Sequence, residues 1–308
     1  MSDYIKSVFS SIVGIDMFTR VDDAHILDLY LGKDQMARNT LLLVSREEPL
    51  QIYSSQIITV QVGLRKDGKW ALSFALSNEK YEDLFCHFCS DIIESSRLIK
   101  DNKQGAVYVC NRYIKWQEML KKNSSGLLSF QEIKGLLGEL CFLSHYMIPK
   151  YGANEAIDSW IGPDKADQDF VAPDKWYEVK ALVSGAEVVR ISSVEQLDTT
   201  DEGELILVYL DKTSYADPKK ITLNAAIHTM DEELPSDEAR KKLRDILLKQ
   251  GYYFREEYDE YIFRYSEMRR FLVNSSFPSL RRKSIPEAIT NANYSLSIAD
   301  ISEFYVED

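Results

Sequence analysis

The order of apolar and polar positions changes period along this chain, and the changes mark out its elements. Residues 41–44 and 57–62 are strand-like apolar runs. Val60-Gln61-Val62-Gly63-Leu64 and Trp70-Ala71-Leu72-Ser73-Phe74 alternate on either side of Lys66-Asp67-Gly68-Lys69, which predicts a hairpin. The period then becomes helical: Leu84, Phe85, Phe88, Ile92 and Ile93 recur at helix spacing within residues 79–99. Residues 106–110 read as a further strand and residues 112–121 as a helix. Asn123-Ser124-Ser125-Gly126 is a cluster of chain breakers and the expected boundary. It separates a β-rich N-terminal domain, residues 1–128, from a second domain, residues 129–308.

The second domain opens on Ser129-Phe130-Gln131-Glu132, a capping box with Ser129 as N-cap and Glu132 at N3. The helix it starts should run to about Ile148, where Pro149 is expected to stop it. Strands are predicted near residues 157–161, 168–172, 176–182 and 188–191, and a short helix after Ser192-Ser193, with Ser193 as its N-cap. Residues 204–211, Glu-Leu-Ile-Leu-Val-Tyr-Leu-Asp, are nearly all apolar, as expected of a strand buried on both faces. This order of helix, strands, helix and strand predicts an α/β (α+β) fold, with a mixed sheet flanked by helices. A C-terminal α/β extension follows. It has helices at 222–230 and 237–250, the second with Ser236 as N-cap and Gly251 past its end. Strands at 258–265 and 270–273 and an edge-like alternating segment at 292–298 complete it.

The most telling stretch is the hairpin formed by residues 168–172 and 176–182. Ala172-Pro173-Asp174-Lys175 joins the arms, and Pro followed by Asp suits a type I turn in a four-residue loop. That loop fixes the register: Asp169 falls opposite Glu178, and Asp167 opposite Lys180. Directly opposed residues share a face with Cβ atoms roughly 4.5–5.5 Å apart. Two carboxylates so placed repel unless a cation lies between them, and a hard divalent cation resolves the conflict. Lys180 projects from the same face as Glu178. Two acids and a lysine around a metal make up a chemistry for phosphodiester hydrolysis. A register slip of one residue would turn the set to the other face.

Glu139 stands out separately. Gly135, Leu136, Phe142 and Leu143 surround it one helical turn away, and a carboxylate on that apolar face is costly to bury without a partner. Gly135 and Gly138 would let the helix approach the sheet closely, although glycine costs up to ~1 kcal/mol against alanine in a helix.

Charge complicates the picture. The net charge is −12 and the isoelectric point about 5.0, whereas affinity for DNA comes largely from Lys and Arg contacts to phosphate. A metal site needs acidic ligands, however, and a local basic face can coexist with a negative total. Arg240-Lys241-Lys242, Arg269-Arg270 and Arg281-Arg282-Lys283 are the basic clusters. The chain is long enough for a substantial core, and 45% of its residues are hydrophobic. No apolar run approaches the ~18 residues of a membrane span, and the first residues do not read as a secretory signal. Four cysteines suggest a reducing compartment, so a cytoplasmic location without membrane attachment is expected. Cys86-His87-Phe88-Cys89 has the look of a zinc half-site but lies within a predicted helix and has no second pair. It reads as core. His25, His87, His145 and His228 show no ligand spacing. No Gly-x-Ser-x-Gly elbow and no phosphate-binding glycine loop appears.

Gly135-Leu136-Leu137-Gly138-Glu139-Leu140, Trp160, Asp169-Phe170, Glu178-Val179-Lys180 and Ser193-x-x-Gln196-Leu197 together resemble the PD-(D/E)xK nuclease superfamily. More narrowly, they resemble a bacterial family of such proteins found near DNA-modification and defence genes. The resemblance implies a restriction-endonuclease-like sheet with an αβββαβ core. It implies a Mg²⁺-dependent endonuclease acting on double-stranded DNA in restriction or phage defence, with Mn²⁺ as an alternative metal. Asp169 and Glu178 are the expected ligands, with the Val179 carbonyl as a third and Glu139 reaching the metal directly or through water. Lys180 would position the attacking water or stabilise charge on the phosphate, and Gln196 would sit near the scissile phosphate or near Lys180. Asp167 competes with Asp169, and so does Asp164, which forms a literal Pro163-Asp164. The register favours Asp169. The family context implies a methyltransferase or ATPase partner, and many nucleases pair as homodimers. A non-catalytic nuclease-fold subunit used for DNA binding or assembly is the rival reading.

Overall fold

A computed structural model of the chain describes residues 2–99, 101–122, 127–162, 167–198 and 201–307. The expected boundary cluster at 123–126 and the Pro163-Asp164 pair lie outside these residues. The chain forms two compact units: Met1–Leu127 with Leu247–Tyr253, and Leu128–Ile246 with Phe254–Asp308.

In the first unit, helix α1 (Ser2–Ser11) precedes strands β1 (Met17–Arg20), β2 (Asp28–Lys33), β3 (Asn39–Ser45), β4 (Ile58–Leu64) and β5 (Trp70–Leu76). The five strands form an antiparallel sheet in the order β1-β2-β3-β5-β4. The predicted β4–β5 hairpin pairs Leu64 with Trp70, and Gly68 takes φ +78° in its turn, a conformation open to glycine at little cost. Helices α2 (Glu82–Ser96) and α3 (Gly105–Lys122) follow. Leu41, Leu43, Leu72 and Phe74 share a core with Phe85, Phe88, Cys89 and Ile92. Residues 106–110 are helical rather than a strand. Ala106, Val109, Cys110, Tyr113 and Trp116 are all buried at three- and four-residue intervals, a period that a five-residue window cannot show.

The second unit begins with α4 (Phe130–Phe142), capped reciprocally by Ser129 and Glu132. Pro149 does not end this helix. A π-helical turn, Leu143–Met147, leads into α5 (Ile148–Tyr151), where Pro149 lies in the first turn. The wider turn accommodates a residue that cannot donate a backbone hydrogen bond. Gly152, at φ +80°, ends the run. Residues 153–158 then form α6 (Ala153–Asp158), so the strand predicted at 157–161 shrinks to one bridge between Trp160 and Phe170.

The main sheet has the order β10-β11-β9-β7-β6. Its strands are β6 (Phe170–Val171), β7 (Trp176–Leu182), β9 (Gly203–Lys212), β10 (Lys220–Ile221) and β11 (Phe263–Val273). β7 and β9 run parallel and the other neighbours antiparallel, which gives the expected mixed sheet. β9 is buried on both faces over residues 203–210. On one face α4 packs against it and β7. On the other lies a separate two-stranded ribbon of β8 (Val188–Ile191) and β12 (Tyr294–Ser297). Val189, Ile191 and Leu296 of this ribbon share a core with Trp176, Leu205 and Leu207. Residues 258–273, expected as two strands, contain a 3-10 turn (Glu256–Glu260) and then the single long β11. Helices α7 (Leu223–Glu233), capped by Thr222, and α8 (Asp237–Lys249) fall as predicted. No helix among the described residues is long and apolar enough to cross a membrane.

Candidate active site

The site assembles where the short β6 leaves the edge of β7 open. Phe170 pairs with Tyr177 and Val171 with Trp176, the register expected for the four-residue loop, which Ala172 closes by donating to the Lys175 carbonyl at 3.0 Å. Strand pairing stops there. The next residue back, Asp169, turns its carboxylate to the freed edge, where Oδ2 accepts from the Val179 backbone N–H at 2.8 Å. A strand residue presents its N–H and C=O to the same side. The Val179 carbonyl therefore opens on that edge as well. The Asp169 carbonyl accepts from the N–H groups of Ile161 and Gly162, each at 3.0 Å. A Cβ on Gly162 would stand 3.1 Å from Asp169 Oδ1, so glycine there leaves the carboxylate its room.

Alternation along β7 separates core from chemistry. Tyr177 meets Phe142 of α4, and a Cβ on Gly138 would stand 3.0 Å from that of Ala181. Gly138 thus permits the close helix–sheet approach expected of it. Gly135 faces open space and serves no such approach. On the opposite face, Glu178 Oε1 accepts from Lys180 Nζ at 2.6 Å. Glu178 is 1% exposed, and among the described residues its Oε2 has no hydrogen-bond partner. Lys180 Nζ also donates to Gln196 Oε1 at 3.2 Å, and the same oxygen accepts from the Ser192 backbone N–H at 2.9 Å.

Gln196 lies on a turn rather than the expected helix. Among the described residues only the Leu197-to-Val194 and Asp198-to-Glu195 backbone bonds form there, and none of them is capped by Ser193. Gln168 fastens that turn, its amide donating to the Glu195 and Gln196 carbonyls at 3.1 and 3.3 Å. Sequence reasoning passed over Gln168, although its place beside Asp169 on the hairpin edge was visible. Glu139 reaches the cluster from α4, with Oε2 accepting from Trp160 Nε1 at 2.6 Å. Trp160 stacks on Phe170 at 5.6 Å and 12°. Asp167 is exposed, outside the hydrogen-bonded set.

The electrostatics are those of a crowded acid site. Burial and then the neighbouring Asp169 charge, held back by Lys180, leave Glu178 pushed up to about 8. Burial likewise raises Asp169, opposed by the Val179 N–H and by Lys180. Glu139 is held well above the usual carboxylate range by burial and by Asp169, against the lowering effect of the Trp160 hydrogen bond. Three acids repel here against one lysine. Among the described residues no group of three or more His, Cys, Asp or Glu side chains forms a ready-made metal cage. The donor set nonetheless fits a hard cation: two carboxylates, one with an orphaned buried oxygen, beside a main-chain carbonyl. Mg²⁺ is commonly held by one or two carboxylates and keeps several waters.

Elsewhere, Cys86, Cys89, Cys110 and Cys141 are buried free thiols, as core residues should be. Burial pushes Cys86 and Cys141 up to about 12 and Cys110 to about 11. Such thiols are poor nucleophiles.

A family model described as "Putative PD-(D/E)XK family member, (DUF4420)" matches residues 14–299. No curated protein and no solved structure matches the chain.

Proposed function

The chain belongs to the PD-(D/E)XK family, and on that premise we propose that it is a divalent-metal-dependent DNA endonuclease acting in restriction or phage defence. The observation that carries this reading is the Glu178 carboxylate: buried, shared with Lys180 through Oε1, and unpartnered at Oε2. A carboxylate buried for structure alone ordinarily has both oxygens hydrogen-bonded.

Asp169, Glu178 and the Val179 carbonyl are the groups that would hold Mg²⁺ or Mn²⁺, with Glu139 behind them. When bound, such a cation offsets charge on the phosphate and makes water a stronger nucleophile. Lys180 Nζ sits beside the ligands and is aimed by two acceptors, Glu178 Oε1 and Gln196 Oε1. It would stabilise charge gathering on the phosphate oxygens or orient the attacking water. A fixed cation of this kind contributes a factor of ~10²–10³. Gln196 anchors Lys180 through its carbonyl oxygen, and its amide N–H groups are of a kind that suits a phosphate oxygen.

The rival is a non-catalytic nuclease-fold subunit used for DNA binding or for assembly with a methyltransferase or ATPase; the net charge of −12 favours it. Purified protein incubated with plasmid DNA in Mg²⁺ and in EDTA, beside Lys180→Ala, separates the two. Cutting that needs both Mg²⁺ and Lys180 is expected. An intact plasmid with modified and unmodified DNA alike would favour the subunit reading.

A further inference from the structure

Resting on the nuclease reading, we propose that Arg282 and Lys283 form a subsite for a backbone phosphodiester of the nucleic acid, beside the turn that carries Gln196.

Of the three basic clusters in the sequence, two are engaged internally. Arg240 donates to the carbonyls of Asp231 and Leu234, and Lys242 pairs with Asp158 at 2.7 Å. Arg269 pairs with Glu267 at 2.6 Å, and Arg270 with the buried Glu204 at 3.2 Å and the Tyr146 hydroxyl at 2.8 Å. These cations hold the fold together and are poorly placed to take a ligand.

The third cluster is divided. Arg281 acts as a clamp. Its guanidinium donates to the Leu197 carbonyl at 2.6 Å and the Asn274 carbonyl at 3.0 Å, and pairs with Asp198 at 3.8 Å. The Arg282 backbone N–H adds a bond to Asp198 Oδ2 at 2.7 Å. Leu197 and Asp198 directly follow Gln196, so these bonds fix the segment against the turn that aims Lys180. The side chains of Arg282 and Lys283 are different. Arg282 is half-buried, its Nη1 is enclosed without a hydrogen-bond partner among the described residues, and Lys283 is exposed. Among the described residues no carboxylate pairs with either, in a chain with 49 acidic residues.

The neighbourhood points the same way. Two of the buried side-chain atoms without a hydrogen-bond partner among the described residues are Ser279 Oγ and Arg282 Nη1, three residues apart. Buried polar groups ordinarily find partners, so two unmet ones in one short segment ask for an outside acceptor. Both can donate, which selects an anion. The planar guanidinium fork matches phosphate geometry, and the nearest proposed chemistry is that of a phosphodiester.

The test is binding of a labelled DNA duplex in EDTA across a salt series, with full-length wild type, Arg282→Gln and Lys283→Gln. Each phosphate contact adds about 0.9 to the slope of log affinity against log salt. Each variant should lower the slope by about 1 and weaken binding about equally for all sequences. In cleavage assays KM should rise while kcat holds. Lys283→Gln changes an exposed side chain, so it decides the matter even if Arg282→Gln folds poorly. A wild type that cuts DNA while both variants keep its slope and KM overturns the subsite alone. A wild type that neither binds nor cuts DNA overturns the nuclease reading, and the subsite with it.

Discussion

Glu178 and Lys180 share one hydrogen bond of 2.6 Å through Oε1, and the other carboxylate oxygen is enclosed with no donor among the described residues. An ammonium satisfies part of a carboxylate, but it does not offset Asp169 and Glu139 as well. Burying an acid without full compensation is expensive. Placing two more acids beside it raises that cost, and binding a divalent cation would recover it.

Replacing Lys180 with Met should therefore separate chemistry from folding. Methionine keeps much of the aliphatic length and removes the charge, so packing between β7 and the 194–198 turn should survive. Cleavage should fall by ~10²-fold or more, while affinity for DNA in EDTA changes little. Equal rates for Lys180→Met and wild type would remove Lys180 from the mechanism.

The same crowding sets a pH dependence. In the unfolded chain Glu178 ionises near its ordinary value of 4.5, whereas in the fold it keeps its proton up to about 8. Between those values the unfolded state binds fewer protons than the folded state, so the metal-free protein loses stability as pH rises. The loss should be on the order of a few kcal/mol. Glu178→Gln should flatten the fall of Tm between pH 5.5 and 8.5 in EDTA. Because the cation must displace protons from its ligands, Mg²⁺ should raise Tm more at pH 8.5 than at pH 6. Thermal melts of both proteins with and without Mg²⁺ check this. A Mg²⁺ shift independent of pH, or undiminished in Glu178→Gln, would count against these acids as ligands.

Why some of this was legible in sequence and some was not follows from the range of the forces involved. The hairpin register was readable because a four-residue loop and a two-residue period leave little freedom, and Phe170 does pair with Tyr177. The capping box at Ser129 and the two-sided burial of β9 are equally local signals. Residues 106–110 misled because their apolar run is too short to show a period. The helix passed Pro149 because a π turn intervened, which no local pattern announces. Gln168 escaped notice because its role depends on the 194–198 turn, distant in sequence and brought close only by the fold.

Trp160 positions Glu139 and can be tested without losing its ring. Trp160→Phe keeps an aromatic surface against Phe170 but deletes the N–H that reaches Glu139 Oε2 at 2.6 Å. That hydrogen bond favours the ionised acid, so its loss should push Glu139 further up. The acidic limb of the activity–pH profile should move to higher pH, and kcat near neutrality should drop several-fold with KM little changed. A drop in kcat with an unmoved pH profile would mean that Trp160 serves packing alone.

The two glycines of α4 offer a contrast of opposite sign. Gly135 faces open space, so Gly135→Ala gains helix propensity of up to ~1 kcal/mol. Gly138→Ala gains the same propensity, but its Cβ would meet the Ala181 Cβ at 3.0 Å, a contact that requires β7 or α4 to move by a few tenths of an ångström. Overpacking of this kind typically costs ~1–3 kcal/mol. Melting temperature should thus rise for Gly135→Ala and hold or fall for Gly138→Ala. Activity should divide more sharply than stability. α4 carries Glu139 on its next residue, so any shift that relieves the clash moves that carboxylate relative to Asp169 and Glu178, and misplaced catalytic groups lose rate steeply. Gly135→Ala should cut DNA at the wild-type rate and Gly138→Ala measurably more slowly. Matching rates and matching melts for the two variants would show that α4 and β7 do not approach as closely as Gly138 and Ala181 imply.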